Sequence, residues 1–243
     1  MTEINEILEQ LKAVGVHHLK SDAAVMLEML HDTQDAATID TLINELLSSM
    51  TRNKLQSILL ECPQTLLHGW LPIVKQKMIV VGERAMYTRV LREEQLGISV
   101  PAYEIWPVTE PKAIAFLAEV MNKSRHDAAK FLDTMRIELP SQVDTMYTVY
   151  MLNNEPVGVV FPHIEPNMNQ EGRLFWIGIH PSYKGKGLGR GLHTIGLYRL
   201  QHDFQAKSYL GATQIENAPM RKIMEANGCV QQATVVSLKY SIA

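Results

Sequence analysis

With 243 residues, 46% of them hydrophobic and 20% charged, the chain has the composition of a folded globular protein. That excludes disordered and fibrous classes and leaves room for one large domain or two modest ones. A formal net charge of −3 supplies no overall positive field to gather nucleic acid or an anionic membrane surface. Cys62 and Cys229 match neither a C-x-x-C pair nor a metal-ligand spacing, so reduced thiols, no disulfide framework and no metal site are expected. The N-terminus is acidic and amphipathic, without a basic n-region or an apolar h-region, and apolar runs such as 157–161 fall far short of the roughly 20 residues that span a bilayer. A soluble, cytoplasmic protein is the expectation.

Taken in chain order, the first third is predicted to be helical. Ile4, Ile7, Leu8 and Leu11 recur at helical spacing, and Ile39, Leu42, Ile43, Leu46, Leu47 and Met50 do so more strongly. Ser21-Asp22 has the chemistry of a helix start leading to Met26, Met29 and Leu30. Leu55, Ile58, Leu59 and Cys62 extend the helical pattern to Pro63, which opens a further helix carrying Leu66, Leu67 and Trp70. Such apolar stripes serve mainly to pack against one another. Beyond Lys77, residues 78–81 and 87–91 are predicted as short strands around a Gly82-Glu83 hairpin turn. Gly97 and Pro101 then punctuate the chain, which places a boundary near residue 97 between an N-terminal helical region with a strand hairpin (1–97) and a second domain (98–243).

In the second domain the predicted order is strand (102–108), helix (112–121), helix (126–136), and strands at 146–152, 156–164 and 173–180. A glycine loop, helix (189–202), strand (207–213), helix (218–227) and strands at 229–232 and 234–240 follow. Asn153-Asn154-Glu155 is a turn between two of the strands.

The loop Lys184-Gly185-Lys186-Gly187-Leu188-Gly189-Arg190 carries the chemistry. Alternating glycines let the backbone approach a ligand, the following helix presents free N–H groups at its positive dipole end, and three cations flank it. The pattern predicts an anion site. Neither common phosphate loop fits, because Gly185-Lys186 is followed by glycine instead of Ser or Thr and the glycines do not follow G-x-G-x-x-G.

The run Ile177-Gly-Ile-His-Pro-Ser-Tyr-Lys-Gly-Lys-Gly-Leu-Gly189 resembles the coenzyme A pyrophosphate motif of the GNAT acetyltransferase superfamily, with Lys184 at a position where the family has Arg or Gln. Residues 217–229, Asn217 followed by an amphipathic helix and Gly228, resemble a second segment of that family, and Tyr103-Glu-Ile-Trp-Pro resembles its first strand. The resemblance covers roughly 98–243. It implies an α/β (α+β) fold with a mixed, mostly antiparallel central sheet flanked by helices, here preceded by a small N-terminal helical region. It also implies acetyl-coenzyme A (acetyl-CoA) as cofactor. The loop amides of Lys186 to Arg190 would hold the pyrophosphate with Lys184 and Gly185 beside them. Backbone groups at Ile177 and Ile179 would pair with the pantetheine arm, and Asn217 would cap the later helix.

The activity so implied is transfer of an acetyl group to a primary amine by direct attack in a ternary complex. A neutral amine requires a proton acceptor near the thioester. Glu171 is the first candidate, with His163 and Glu165 behind it; these three would give an acidic rim suited to a cationic acceptor. Where the family often has a tyrosine acid on the later helix, this chain has Met224, which leaves Tyr198, Tyr209, water or an unprotonated thiolate to complete the reaction. A small-molecule or peptide amine is the expected partner. The alternative is a non-catalytic acyl-CoA-binding sensor or interaction protein. A nucleic-acid regulator is disfavoured, since Lys12 and Lys20 are the only lysines or arginines before Arg52.

Overall fold

The structure, a computed structural model, describes residues 3–21, 23–28, 35–91, 99–166 and 168–242. They fall into two compact units. The first comprises Met1–Met86, Ala212–Asn217 and Gln232–Ala243; the second comprises Tyr87–Gly211 and Ala218–Gln231.

The first unit begins with helix α1 (Glu3–Ala13), strands β1 (His17–Lys20) and β2 (Ala24–Glu28), and helix α2 (Ala36–Ser49). Strand β3 (Ser57–Pro63) and short helices α3 (Gln64–Trp70) and α4 (Pro72–Lys77) follow, and β4 (Ile79–Val90) starts here. The stripes read from the sequence on α1 and α2 are buried and form one core with Val25, Leu27, Ile58 and Leu60. Asp40 of α2 is buried and accepts the Ile73 and Val74 N–H groups at 2.9 Å, capping the first turn of α4.

Several expectations are corrected here. Ser21 serves a hairpin turn and not a helix start: its N–H bonds Ala24 O at 2.9 Å and its Oγ accepts Ala24 N–H at 3.1 Å, so Met26 lies in β2, antiparallel to β1. Asp22, Met29 and Leu30 lie outside the described residues. Ile58, Leu59 and Cys62 form β3, which pairs with β2 on one side and with the C-terminal strand β10 (Val230–Ser241) on the other. A short apolar run suits a strand flanked on both sides as well as a helix, and the pairing decides. Gly82 is no turn, since it lacks a positive φ and β4 runs unbroken through it. The N-terminal region is therefore mixed α/β rather than helical, and the two predicted C-terminal strands are one, β10.

The second unit follows its predicted order closely. Strand β5 (Tyr103–Ile105), helices α5 (Pro111–Met121) and α6 (Arg125–Glu138) and a single turn α7 (Val143–Met146) precede strands β6 (Thr148–Leu152), β7 (Glu155–Ile164) and β8 (Glu171–Ile179). Helix α8 (Gly189–His202), strand β9 (Ser208–Gln214) and helix α9 (Ala218–Ala226) complete it. Pro111 at the first position of α5 and a Ser124/Asp127 capping box on α6 explain those helix starts. Asn153 and Asn154, with φ of 51° and 65°, make the two-residue turn between β6 and β7. Strands β5 to β8 are antiparallel, and β9 joins β8 in parallel. One core lies under α5 and α6 around Phe161, and another under α8 around Val160. The protein is a mixed α/β fold with a mostly antiparallel open sheet flanked by helices.

Candidate functional site

Strand β8 places the loop. It pairs with β9 only at Glu171↔Ser208 and Gly172↔Tyr209, so past Gly172 the two parallel strands part and leave a backbone edge of β8 open. On its other side, β8 pairs Ile177 with Val160 but Leu174 with Pro162, a bulge that adds one residue at Phe175-Trp176. Bulges re-aim side chains and end regular pairing beside sites. Ile177 and Ile179, opposite Val160 and Gly158, are half-buried in the core under α8.

Beyond Ile179 the chain turns through Pro181–Tyr183, a short 3₁₀ turn closed by Ser182 N–H on His180 Nδ1 (3.3 Å) and Tyr183 N–H on His180 O (2.9 Å). Gly185 and Gly187 follow with φ of +78° and +74°, where a side chain would strain the backbone although the space around both is open. Among the described residues the N–H groups of Gly185, Lys186, Gly187 and Leu188 meet no backbone acceptor, and the first turn of α8 adds further N–H groups with no partner inside the helix. Lys184 and Lys186 form no ion pair among the described residues; Lys186 Nζ lies 4.7 Å from the Tyr183 ring centroid. This is a nest of donors at a positive helix end, suited to a phosphate or pyrophosphate.

Arg190 differs from the lysines. Its Nε donates to Asn227 Oδ1 (3.2 Å) and its Nη2 to Ala226 O (3.0 Å), so its guanidinium is engaged at the end of α9 while its backbone N–H stays in the first turn of α8. Asn217 directly precedes α9; its N–H bonds Gln214 O (2.9 Å) and its side-chain amide donates to Thr213 Oγ1 (3.1 Å).

The other end of β8 carries the acidic residues. Arg173 Nε donates to Glu171 Oε1 at 2.9 Å, and its Nη1 lies 3.4 Å from Glu165 Oε2, so one guanidinium serves both carboxylates. His163 stands opposite Arg173 on β7, is buried, and bonds Glu165 through Nε2 at 3.3 Å. That hydrogen bond, followed by the charge of Arg173, holds the Glu165 carboxyl below its ordinary range against the opposing effect of burial. The structure thus gathers His163, Glu165 and Glu171 into one cluster and adds Arg173, which sequence reasoning missed. The signal was available, because Glu171 and Arg173 share one face of a strand by their spacing.

Of the residues considered as an acid, Met224 is buried and cannot donate, and Tyr198 lies against Tyr103 and His202. Tyr209 is buried with its hydroxyl 3.2 Å from His193 Nε2. Burial pushes the Tyr209 hydroxyl up and pulls His193 down to about 3, with Arg89 adding to the latter.

The decisive comparison is with a family. Residues 112–228 match the model of the acetyltransferase (GNAT) family. This stretch is a GNAT acetyltransferase domain. No curated protein sequence matches the chain. Among solved structures, a GCN5-related N-acetyltransferase from Sphaerobacter thermophilus is similar at a TM-score of 0.66 and 9% identity, over 93% of this chain and 76% of that one. A tandem GNAT protein from the clavulanic acid biosynthesis pathway, determined without AcCoA, gives 0.63 and 15% over 93% and 78%. A GCN5-related N-acetyltransferase from Kribbella flavida gives 0.61 and 11% over 99% and 96%. At these identities the likeness is one of GNAT fold, and it extends well past residues 112–228. Among the described residues no helix is long and apolar enough to cross a membrane, and no group of three or more His, Cys, Asp or Glu side chains is placed to hold a metal ion.

Proposed function

We propose that the protein is an acetyl-CoA-dependent N-acetyltransferase acting on a primary amine, small molecule or peptide, by direct attack in a ternary complex. The observation that carries this reading is the run of N–H groups from Gly185 into the first turn of α8 that meet no backbone acceptor among the described residues, flanked by two lysines outside any ion pair there, at the end of a strand parted from its parallel neighbour. Those residues fit a pyrophosphate. In this reading the amides of Lys186 to Arg190 bind it, Lys184 and Lys186 add charge, Gly185, Gly187 and Gly189 admit it, and Leu188 turns the chain into α8. The open edge of β8 at Ile177 and Ile179 takes the pantetheine amides, and Asn217 caps α9. The thioester supplies an activated acyl carbon. Glu171 would take the ammonium proton of the acceptor; the neutral amine would then form the amide bond, passing its second proton to water as the carbon–sulfur bond breaks, and coenzyme A would leave as the thiolate or take a proton from water or a tyrosine hydroxyl. The free thiols of Cys62 and Cys229 support a cytoplasmic setting.

A second reading, a non-catalytic acyl-CoA sensor, draws on the pairing of both carboxylates with Arg173 and on Met224. One experiment separates the two: calorimetric titration with acetyl-CoA, dephospho-CoA and ATP, followed by thiol release against an amine panel. Saturable acetyl-CoA binding with thiol release on one amine is the expected result. Binding without turnover on any amine would leave the sensor, and no binding would end both.

A further inference from the structure

Read from sequence, Arg190 is a third cation for the anion loop; in the structure its guanidinium is drawn away to a buried amide. The Asn227 side chain, 4% exposed, uses every polar position it has. Its Oδ1 accepts from Arg190 Nε (3.2 Å) and faces the Thr194 hydroxyl (3.3 Å). Its Nδ2 donates to Arg190 O (3.1 Å) and to His193 Nδ1 (2.9 Å). The Thr194 hydroxyl lies 2.9 Å from the same Arg190 carbonyl, and Arg190 Nη2 reaches Ala226 O, so backbone and side chain of one residue in the first turn of α8 are both held from the C-terminal end of α9. A cation there also complements the carbonyl end of α9. Asn227 itself is fixed by its N–H on Ile223 O (3.1 Å) and by Arg89 Nη1 on its carbonyl (2.5 Å).

We infer that Asn227, acting through Arg190, Thr194 and His193, is a positioning residue for the coenzyme loop, and that the Arg190 guanidinium orients α8 rather than contacting phosphate. The physical reason is pre-organisation. Donors with glycine neighbours at positive φ have little of their own to fix their direction, and a site held within a fraction of an ångström binds without a further ordering cost. The inference rests on the acetyl-CoA reading of the loop and deepens it.

The test exploits a difference in sign. Asn227→Leu removes the side-chain part of the clamp without changing charge and leaves the Arg190 guanidinium held only by the Ala226 carbonyl. As a positioning residue, its loss weakens acetyl-CoA binding by roughly tenfold, about what one or two hydrogen bonds are worth. Were Arg190 a phosphate ligand held back by Asn227, the same variant would bind equally well or more tightly, which would overturn the inference. Arg190→Lys keeps the charge and loses the two-point fork. It is expected to weaken binding by a similar factor, with the double variant no worse than either single one, because both act through one clamp. Additive losses, or wild-type affinity in Arg190→Lys, would refute the shared role even if Asn227→Leu failed to fold. In both variants the KM for acetyl-CoA should rise while kcat at saturation and the KM for the amine hold. Wild-type protein that bound no acetyl-CoA would remove the loop reading itself, whereas equal binding by wild type and Asn227→Leu removes only the clamp.

Discussion

The two ends of β8 are built on opposite plans. At its C-terminal end, Gly185 to Leu188 hold backbone N–H groups that meet no backbone acceptor among the described residues, beside two lysines that form no ion pair there, on a loop bent by Gly185 and Gly187 and leading into a helix N-terminus. At its N-terminal end, the Glu171 and Glu165 carboxylates are paired with Arg173, and Glu165 also with His163 Nε2. A binding surface can wait with donors turned to water, since exposed N–H groups lose little by doing so. Partly buried carboxylates without a cation would be costly, so the fold neutralises them, and on the proposed reading the amine displaces or shares Arg173. The difference teaches that the end proposed for the cofactor announces itself by backbone donors without backbone acceptors, while the end proposed for the chemistry is concealed by its own ion pairs.

The most direct way to break the comparison is Gly187→Glu. The new side chain would sit at a φ of +74° and bring a carboxylate against the bound pyrophosphate. Like charges about 4 Å apart near a surface repel by roughly 4 kcal/mol, or about a thousandfold in affinity. Calorimetry should show acetyl-CoA binding abolished in a protein whose thermal midpoint falls by only a few degrees, since a positive φ costs a side chain about 1–2 kcal/mol while the space around it is open. Unaltered affinity would show that the loop is merely a tight turn.

Glu171→Gln probes the opposite end. If the carboxylate takes the proton, kcat should fall by about a hundredfold, the lower range for general-base catalysis, while the Kd for acetyl-CoA is unchanged. Release of Arg173 from Glu171 leaves it paired with Glu165, so the fold should survive. Steady-state kinetics with a full turnover rate in this variant would hand the role to His163 or to water.

These two ends also explain what was legible in the sequence. Glycine and lysine at fixed spacing after a β-rich run report a backbone geometry, which local sequence encodes, and helix α8 begins at Gly189 as predicted. Arg173 and Asn227 act across strands and helices, and their partners at positions 165 and 190 cannot be paired by inspection of spacing alone. The same limit misled the reading of residues 21–63. Ser21 and the run from Ile58 have local chemistry that fits either a helix or a strand, and only pairing of β2, β3 and β10 separates the two. Gly82 shows the converse, a turn signal overridden by a strand that runs unbroken through it.

A smaller effect sharpens the cofactor end. Replacing Lys184 and Lys186 together with Gln should weaken acetyl-CoA binding by about tenfold at low ionic strength. The deficit should shrink as salt rises, because exposed cations act through a field screened over about 10 Å at 0.1 M. A salt-independent deficit would mean that the lysines shape the loop instead of attracting the anion.

The smallest expected effect concerns the frame that holds the binding end. His193 is fully enclosed between Asn227 and Tyr209, and Asn227 donates to its Nδ1, which leaves Nε2 to carry the proton toward the Tyr209 hydroxyl. Burial, and then the charge of Arg89, hold it neutral down to about pH 3, against an ordinary value of 6.5. Between those values the unfolded chain binds a proton that the folded chain refuses, so this contribution to stability is intact above pH 6.5 and is lost as pH falls toward 3, by up to about 1.4 kcal/mol per pH unit. Thermal unfolding across that window should therefore show wild type losing stability faster on acidification than His193→Gln, which cannot take up the proton. The carboxylates of the opposite end are present in both proteins and cancel in the difference. Parallel pH profiles would place the acid sensitivity in Glu165 and its partners instead, and would mean that the frame around the loop admits a charge after all.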